Sequence, residues 1–170
     1  MAMDGRIPTT FEAVFPHGAY MLGKVTPARD FKRSTRDDEQ QEVVRDAKGN
    51  PVLDDQERPI RLWNVDVIEA LDEDVEDESR GETKFRVKVA SVFQPVPPPG
   101  LPGASGIRPV VLEGLELNAW VNRDRCKVED NKPHRCRGRI SWSLFATGIA
   151  APGGVPVPEP VAAARNGSGS

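Results

Sequence analysis

The sequence has few of the residues that metal sites and catalytic sites use most. Its 170 residues include two cysteines, Cys126 and Cys136, and two histidines, His17 and His134. A structural zinc site has four ligands, whereas Cys126, His134 and Cys136 offer three in one short segment. No serine or cysteine lies in a recognisable nucleophile setting, and no glycine-rich phosphate loop follows a strand pattern. We therefore expect a protein that is not an enzyme and that has no metal and no cofactor.

Long apolar runs and a dominant charge are also missing. No segment approaches the roughly 18–20 apolar residues that cross a bilayer, and the first residues lack the apolar run of a signal peptide. The formal net charge of -3 argues against a uniformly basic surface, although it is compatible with a local basic patch. These features predict a cytoplasmic protein with no membrane partner.

What the sequence does have is alternation of apolar and polar residues. In residues 62–68, Trp63, Val65 and Val67 fall on one face of an extended chain, because successive side chains of a strand point to opposite faces. Residues 84–89 repeat this pattern with three cations on the other face. We predict that these two segments are paired central strands.

Two later segments alternate in the same way and predict a long hairpin, residues 110–121 and residues 139–149. The predicted fold is all-β, a small antiparallel Greek-key barrel of the OB type, with a β-sandwich as the alternative. The predicted organisation is a flexible N-terminal arm over residues 1–10, the β-barrel domain over residues 11–150, and a disordered tail over residues 151–170. The tail is rich in proline, alanine, glycine and serine and has too little apolar surface to offset its ordering entropy.

Further patterns predict local features. Residues 42–53 are typical of a β-hairpin with Gly49 at its turn, and Gly23 within the first strand indicates a bulge or a close backbone approach. The acidic residues 72–82 predict a solvated loop. The functional alternatives are a nucleic-acid mimic and a cation site. The proline-rich residues 94–109 predict a crossing connection, or else a partner-binding segment.

The link between the last two strands is locally basic. Between Arg123 and Arg139, seven cations face three carboxylates, and aromatic residues lie on both strands. Cations neutralise phosphates and aromatic rings stack on bases, so this combination is typical of single-strand binding; the alternative is a tip charged for solubility. Trp142 is in phase with its apolar neighbours and is predicted to be a core residue. The predicted nucleic-acid-binding residues are Arg123, Arg125, Lys127, Lys132, Arg135, Arg137, Arg139, Trp120 and Phe145.

The cations of the second central strand have two interpretations. Lys84, Arg86 and Lys88 alternate along it and extend the basic surface if they are unpaired. Alternatively they pair with Asp66 and Asn64 across the sheet, which is the commoner arrangement of facing charges.

Several phrases in their order along the chain resemble a known family. They are Val14-Phe15-Pro16-His17-Gly18, Gly23-Lys24-Val25-Thr26-Pro27, Arg33-Ser34-Thr35-Arg36-Asp37, Trp63-Asn64-Val65-Asp66-Val67, Gln94-Pro95-Val96-Pro97 and Ala146-Thr147-Gly148. Over about residues 11–152 the chain is similar to the plasmid replication, integration and excision activators of actinobacteria. The resemblance implies a role in switching an element from the integrated to the replicating state, and it transfers no catalytic or binding residues.

The function expected from these patterns is that of a non-enzymatic, DNA-associated accessory protein of a plasmid or integrative element. The expected partners are DNA, with single strands favoured, and replication or recombination proteins, and a homodimer is compatible with the sequence. The alternative is a protein–protein adaptor of a replication or recombination complex that does not contact DNA.

Overall fold

A computed structural model describes residues 5–70, 84–122 and 138–153, and nearly all of its regular structure is β-strand. The elements are β1 (Arg6–Pro8), α1 (Phe11–Val14), β2 (Ala19–Pro27), β3 (Arg61–Glu69), β4 (Lys84–Ser91), β5 (Ile107–Glu113), β6 (Glu116–Asn122), β7 (Arg139–Ala146) and β8 (Gly148–Ala150). Whereas the sequence predicted a flexible arm over residues 1–10, residues 6–8 form β1 and pair with β6. Of the residues described, none forms a helix with the length and hydropathy that a bilayer crossing requires.

The described strands form one curled sheet in the order β1-β6-β7-β4-β3-β2-β5-β8. The predicted central pair is confirmed, because β3 and β4 are antiparallel neighbours with Val65 opposite Val87. The predicted hairpin of β6 and β7 is also confirmed. One pair differs from the prediction: β4 and β7 run parallel, with Val87 opposite Leu144. The sheet is therefore mixed, and because it is continuous it is a half-barrel and not a sandwich.

Two bent segments produce the curl. Gly114 and Leu115 alone separate β5 from β6, and Thr147 alone separates β7 from β8. The bends pack against each other, because a Cβ at Gly114 (φ 55°) would collide with the Thr147 side chain. The Thr147 N–H also donates to the Glu113 carbonyl at 2.8 Å. With each bent segment counted once, five long segments form the barrel-like arrangement that the alternation predicted.

The core lies inside this curl and uses the alternating apolar face of each strand. Val65, Val67, Val87 and Val89 are fully buried at the centre, where each buried side chain stabilises the fold by roughly 1.5–3 kcal/mol. The other core residues are Phe15, Ala19, Met21, Val25, Trp63, Val110, Leu112, Leu115, Leu144, Ala146 and Ile149. The polar faces of the same strands are left on the outside, which we call the outer face.

Two local predictions are confirmed. Gly23 has a φ of 67°, and the register of β2 against β3 shifts beside it, as expected of a bulge. The proline-rich segment after β4 packs on the domain, because Pro95 and Pro98 are buried and Gln94 Nε2 donates to the Val25 carbonyl at 2.8 Å. The segment is a crossing connection.

Candidate nucleic-acid interface

The outer face of β3 and β4 carries a compact charge cluster. Arg86 Nε donates to Asp66 Oδ1 at 2.9 Å, and Lys84 Nζ lies 3.1 Å from Asp66 Oδ2. The hydrogen bonds from Arg86, followed by those from Lys84, lower the pKa of the Asp66 carboxyl. The prediction that these cations pair across the sheet is confirmed for Lys84 and Arg86. Since two cations share one carboxylate, the cluster keeps an excess positive charge.

Farther along the outer face, cations lie beside the ring of Phe145. Lys88 lies beside Phe145 in the parallel pairing of β4 and β7. The guanidinium carbon of Arg6 lies 4.1 Å from the centroid of the Phe145 ring, and Arg6 also pairs with Glu116 at 3.5 Å. Lys88 Nζ lies 2.6 Å from Glu42 Oε2, so Lys88 pairs with the 28–60 insert instead of Asn64.

The insert is built on an eight-residue repeat. Val44 and Val52 begin its two units, residues 44–51 and 52–59, and Ile60 follows the second unit. The Val44 N–H donates to the Ile60 carbonyl at 2.9 Å, Ile60 N–H to the Val52 carbonyl at 3.0 Å, and Val52 N–H to the Val44 carbonyl at 2.9 Å. Because these bonds form a closed triangle, residues 44–60 of the insert have a defined backbone arrangement beside the sheet.

An aspartate organises the turn of each unit. The Asp46 carboxylate accepts from the backbone N–H of Asn50 at 2.8 Å, and this bond is the main cause of its lowered pKa. Asp54 occupies the equivalent position, and hydrogen bonds from the Arg58 side chain are the main cause of its lowered pKa. Each carboxylate accepts hydrogen bonds from backbone N–H groups of its own turn, which have no carbonyl partner there.

Left-handed backbone occurs once in each unit, at the same position. Gly49 has a φ of 86° and Glu57 a φ of 59°. The hairpin predicted around Gly49 is confirmed by the bridge between Arg45 and Pro51. The second unit was missed by the sequence analysis, although the eight-residue spacing of the two aspartates and of Pro51 and Pro59 is its signal.

The insert and the outer face enclose a groove of about 590 Å³. Its charged lining consists of six cations and two carboxylates: Arg6, Arg29, Lys32, Arg45, Arg86 and Lys88, with Asp30 and Glu42. Phe31 and Phe145 line it as well, from the insert and from β7 respectively. The groove therefore combines an excess of cations with two aromatic rings.

Three of the nine predicted binding residues lie in the described part of the chain. Phe145 is half-buried and lines the groove, Trp120 is 44% exposed, and Arg139 is exposed at the start of β7. Their register against one another places all three on the outer face. The other six, Arg123, Arg125, Lys127, Lys132, Arg135 and Arg137, lie outside the described residues, as do the acidic residues 72–82 and the candidate zinc ligands Cys126, His134 and Cys136.

The prediction that Trp142 is a core residue is wrong. Trp142 is 55% exposed, and Ile140 and Val121 beside it are 70% and 53% exposed. These residues share the core-side face with buried Leu144. The hairpin extends past the core, so its far end presents apolar side chains that the described residues do not cover.

Sequence reasoning missed the groove itself. Phe31 stands among the cations Arg29, Lys32, Arg33 and Arg36 in the sequence, and that cluster was the available signal. Its partners across the groove come from distant strands, so only strand order brings them together.

No family model, no curated protein and no solved structure matches this chain. In the described ranges, no cluster of three or more histidine, cysteine, aspartate or glutamate side chains is placed to hold a metal ion. The chemistry of the groove and of the outer face is therefore what bears on function.

Proposed function

We propose that this chain is a non-enzymatic, DNA-associated accessory protein that binds nucleic acid on its outer face. The observation that carries the proposal is the groove, whose lining contains six cations and two phenylalanines. Cations follow the phosphate backbone and aromatic rings stack on bases, which are the two ingredients of strand binding.

The position of the groove in the fold supports the same function. In OB-type barrels, the face of the second and third strands and the loops after the first and fourth strands bind oligonucleotides. Here the corresponding parts are the outer face of β3 and β4, the 28–60 insert, and the basic link between β6 and β7. By this analogy of fold, the binding face is the one on which these cations lie.

The biological role that we propose follows from the family resemblance. Such a protein acts on an actinobacterial plasmid or integrative element and promotes its replication and excision. Binding to DNA at the element is the activity through which it acts.

The test is fluorescence anisotropy of labelled single-stranded and duplex oligonucleotides at several salt concentrations. We expect binding whose log affinity falls linearly with log salt. Replacing three cations of the groove lining, Lys32, Arg45 and Lys88, with glutamine should weaken it and reduce the slope, by about 0.7 per lost phosphate contact on a single strand.

The matched control is a variant in which three exposed cations outside the groove lining, Lys24, Lys48 and Arg61, are replaced by glutamine. It changes the net charge by the same amount and should retain most of the affinity. Absence of binding by the unaltered protein at low salt would refute the proposed DNA contact.

A second candidate function is an adaptor that binds a replication or recombination protein without touching DNA. The exposed apolar end of the β6–β7 hairpin favours it, because exposed apolar patches mark protein contacts. A partner retained after nuclease treatment, and lost when Ile140 and Trp142 are replaced by serine, would support this function.

A further inference from the structure

We infer that the groove selects unpaired over paired strands, and that Phe31 makes this selection by stacking on a base. The inference rests on the proposed nucleic-acid-binding function and assigns a specificity-determining residue to it. Phe31 is 83% exposed and lines the groove from the insert.

A hydrogen-bonded turn holds Phe31 in place. The Asp30 carboxylate accepts from the backbone N–H of Lys32 at 3.1 Å and of Arg33 at 3.2 Å. The Asp30 carbonyl accepts from the Ser34 N–H at 2.8 Å. Since the backbone on both sides of the ring is fixed in this way, Phe31 is presented to the groove without a large loss of loop entropy on binding.

The ring has a face available for a base. The guanidinium carbon of Arg29 lies 5.5 Å from the ring centroid, and Arg29 is held there by its ion pair with Glu39 at 2.9 Å. One cation therefore lies against Phe31 while most of the ring remains exposed. A base that stacks on the exposed ring lies near the Arg29 guanidinium, whose positive charge attracts the phosphate of the same nucleotide.

Most of the positive charge in the groove is already paired. Arg6, Arg29, Arg86 and Lys88 each lie within 4 Å of a carboxylate, on Glu116, Glu39, Asp66 and Glu42 respectively. Lys32 and Arg45 have no ion pair with any residue in the described ranges. Two unpaired cations predict a small contribution to the salt dependence, a slope of about -1.4 on a single strand, so that the difference between single strands and duplex comes mainly from stacking.

Stacking on Phe31 requires a base whose face is free. In a duplex both faces of each internal base are covered by neighbouring bases, and proteins read it through a helix or a β-ribbon in the major groove. In a single strand the bases unstack readily and can lie on an aromatic ring. Phe31 therefore adds affinity for single strands and adds none for duplex.

The test compares the single-strand and duplex affinities of the unaltered protein with those of Phe31→Ala and Phe31→Trp. We expect Phe31→Ala to reduce single-strand affinity by roughly 5- to 150-fold, the equivalent of about 1–3 kcal/mol for one stacked base, and to leave duplex affinity unchanged. Phe31→Trp should retain single-strand affinity. The control is Leu53→Ala, which truncates another exposed apolar residue of the insert, one that does not line the groove.

The outcomes separate the inference from the proposed function. If the unaltered protein binds DNA and Phe31→Ala changes neither affinity, or lowers both equally, the inference is wrong and the proposed function stands. Equal losses in Phe31→Trp and Phe31→Ala would also overturn it, because a larger ring stacks at least as well. If the unaltered protein binds neither oligonucleotide, the proposed function itself fails.

Discussion

Replacing Glu42 with glutamine removes the carboxylate that pairs with Lys88 inside the groove. The two charged atoms lie 2.6 Å apart, and the side chains are 30% and 33% exposed. The backbone N–H and carbonyl of Glu42, which bond to Ala28 and Leu62, are unchanged by the substitution. The variant therefore releases one cation on the outer face while the insert keeps its attachment to the sheet.

The size of the effect follows from counterion release. If the released Lys88 neutralises one more phosphate, the slope of log affinity against log salt becomes steeper by about 0.7 for a single strand. Between 1 M and 0.1 M salt, the affinity of the variant should therefore rise about fivefold more than that of the unaltered protein. Stability should fall by at most about 1 kcal/mol, because a partly exposed ion pair contributes little.

The assay is anisotropy with one labelled single strand over a range of salt, with a thermal melt to verify the fold. Glu12→Gln is the control, since Glu12 is exposed in α1 and lies outside the groove lining, and the substitution changes the net charge equally. An unchanged salt slope for a well-folded Glu42→Gln variant would refute the reasoning that the ion pair with Glu42 keeps Lys88 from neutralising a phosphate.

Two further predictions concern the fold. Gly49→Ala should destabilise the protein by about 1 kcal/mol, since left-handed backbone disfavours a Cβ, and Glu57→Gly should stabilise it by up to about 1 kcal/mol for the same reason. Urea unfolding followed by tryptophan fluorescence measures both changes in the free energy of unfolding. Changes of the same sign would contradict the equivalence of the two positions. Hydrogen bonds from Arg86, followed by those from Lys84, hold the pKa of Asp66 below its ordinary value, so the stability that this pairing contributes is present above about pH 4 and is lost as pH falls through the lowered pKa. We therefore expect the melting temperature to fall more steeply with acidification below about pH 4 in the unaltered protein than in Asp66→Asn, and parallel profiles would count against this assignment.

The central strands were predictable because alternation records which face of a strand is buried. Trp63, Val65 and Val67 face the core as their spacing requires. The same logic failed at Trp142, which has the correct phase and is nonetheless exposed. Alternation identifies the face, but it does not say how far along the strand the core extends, and β7 begins beyond the end of the core.

The candidate site was predictable only in part. The two aromatic residues chosen for the surface, Trp120 and Phe145, do lie on the outer face. Lys88 lies beside Phe145 because β4 pairs with β7, and Phe31 lines the same groove because the insert lies next to these strands. These contacts join residues far apart in the chain, and local pattern contains no information about which distant strands become neighbours.

The parallel pairing of β4 with β7 also has a consequence for synthesis of the chain. β2, β3 and β4 can pair as soon as they leave the ribosome, whereas β7 follows only several seconds later at typical elongation rates, roughly 5–20 residues per second. During that interval β4 is an open edge, the kind of strand on which nascent chains aggregate. Lys84, Arg86 and Lys88 lie along it, and charged side chains on an edge strand disfavour pairing with another chain. The outer-face residues of β4 are therefore of the kind that limit edge-to-edge aggregation of an incomplete chain.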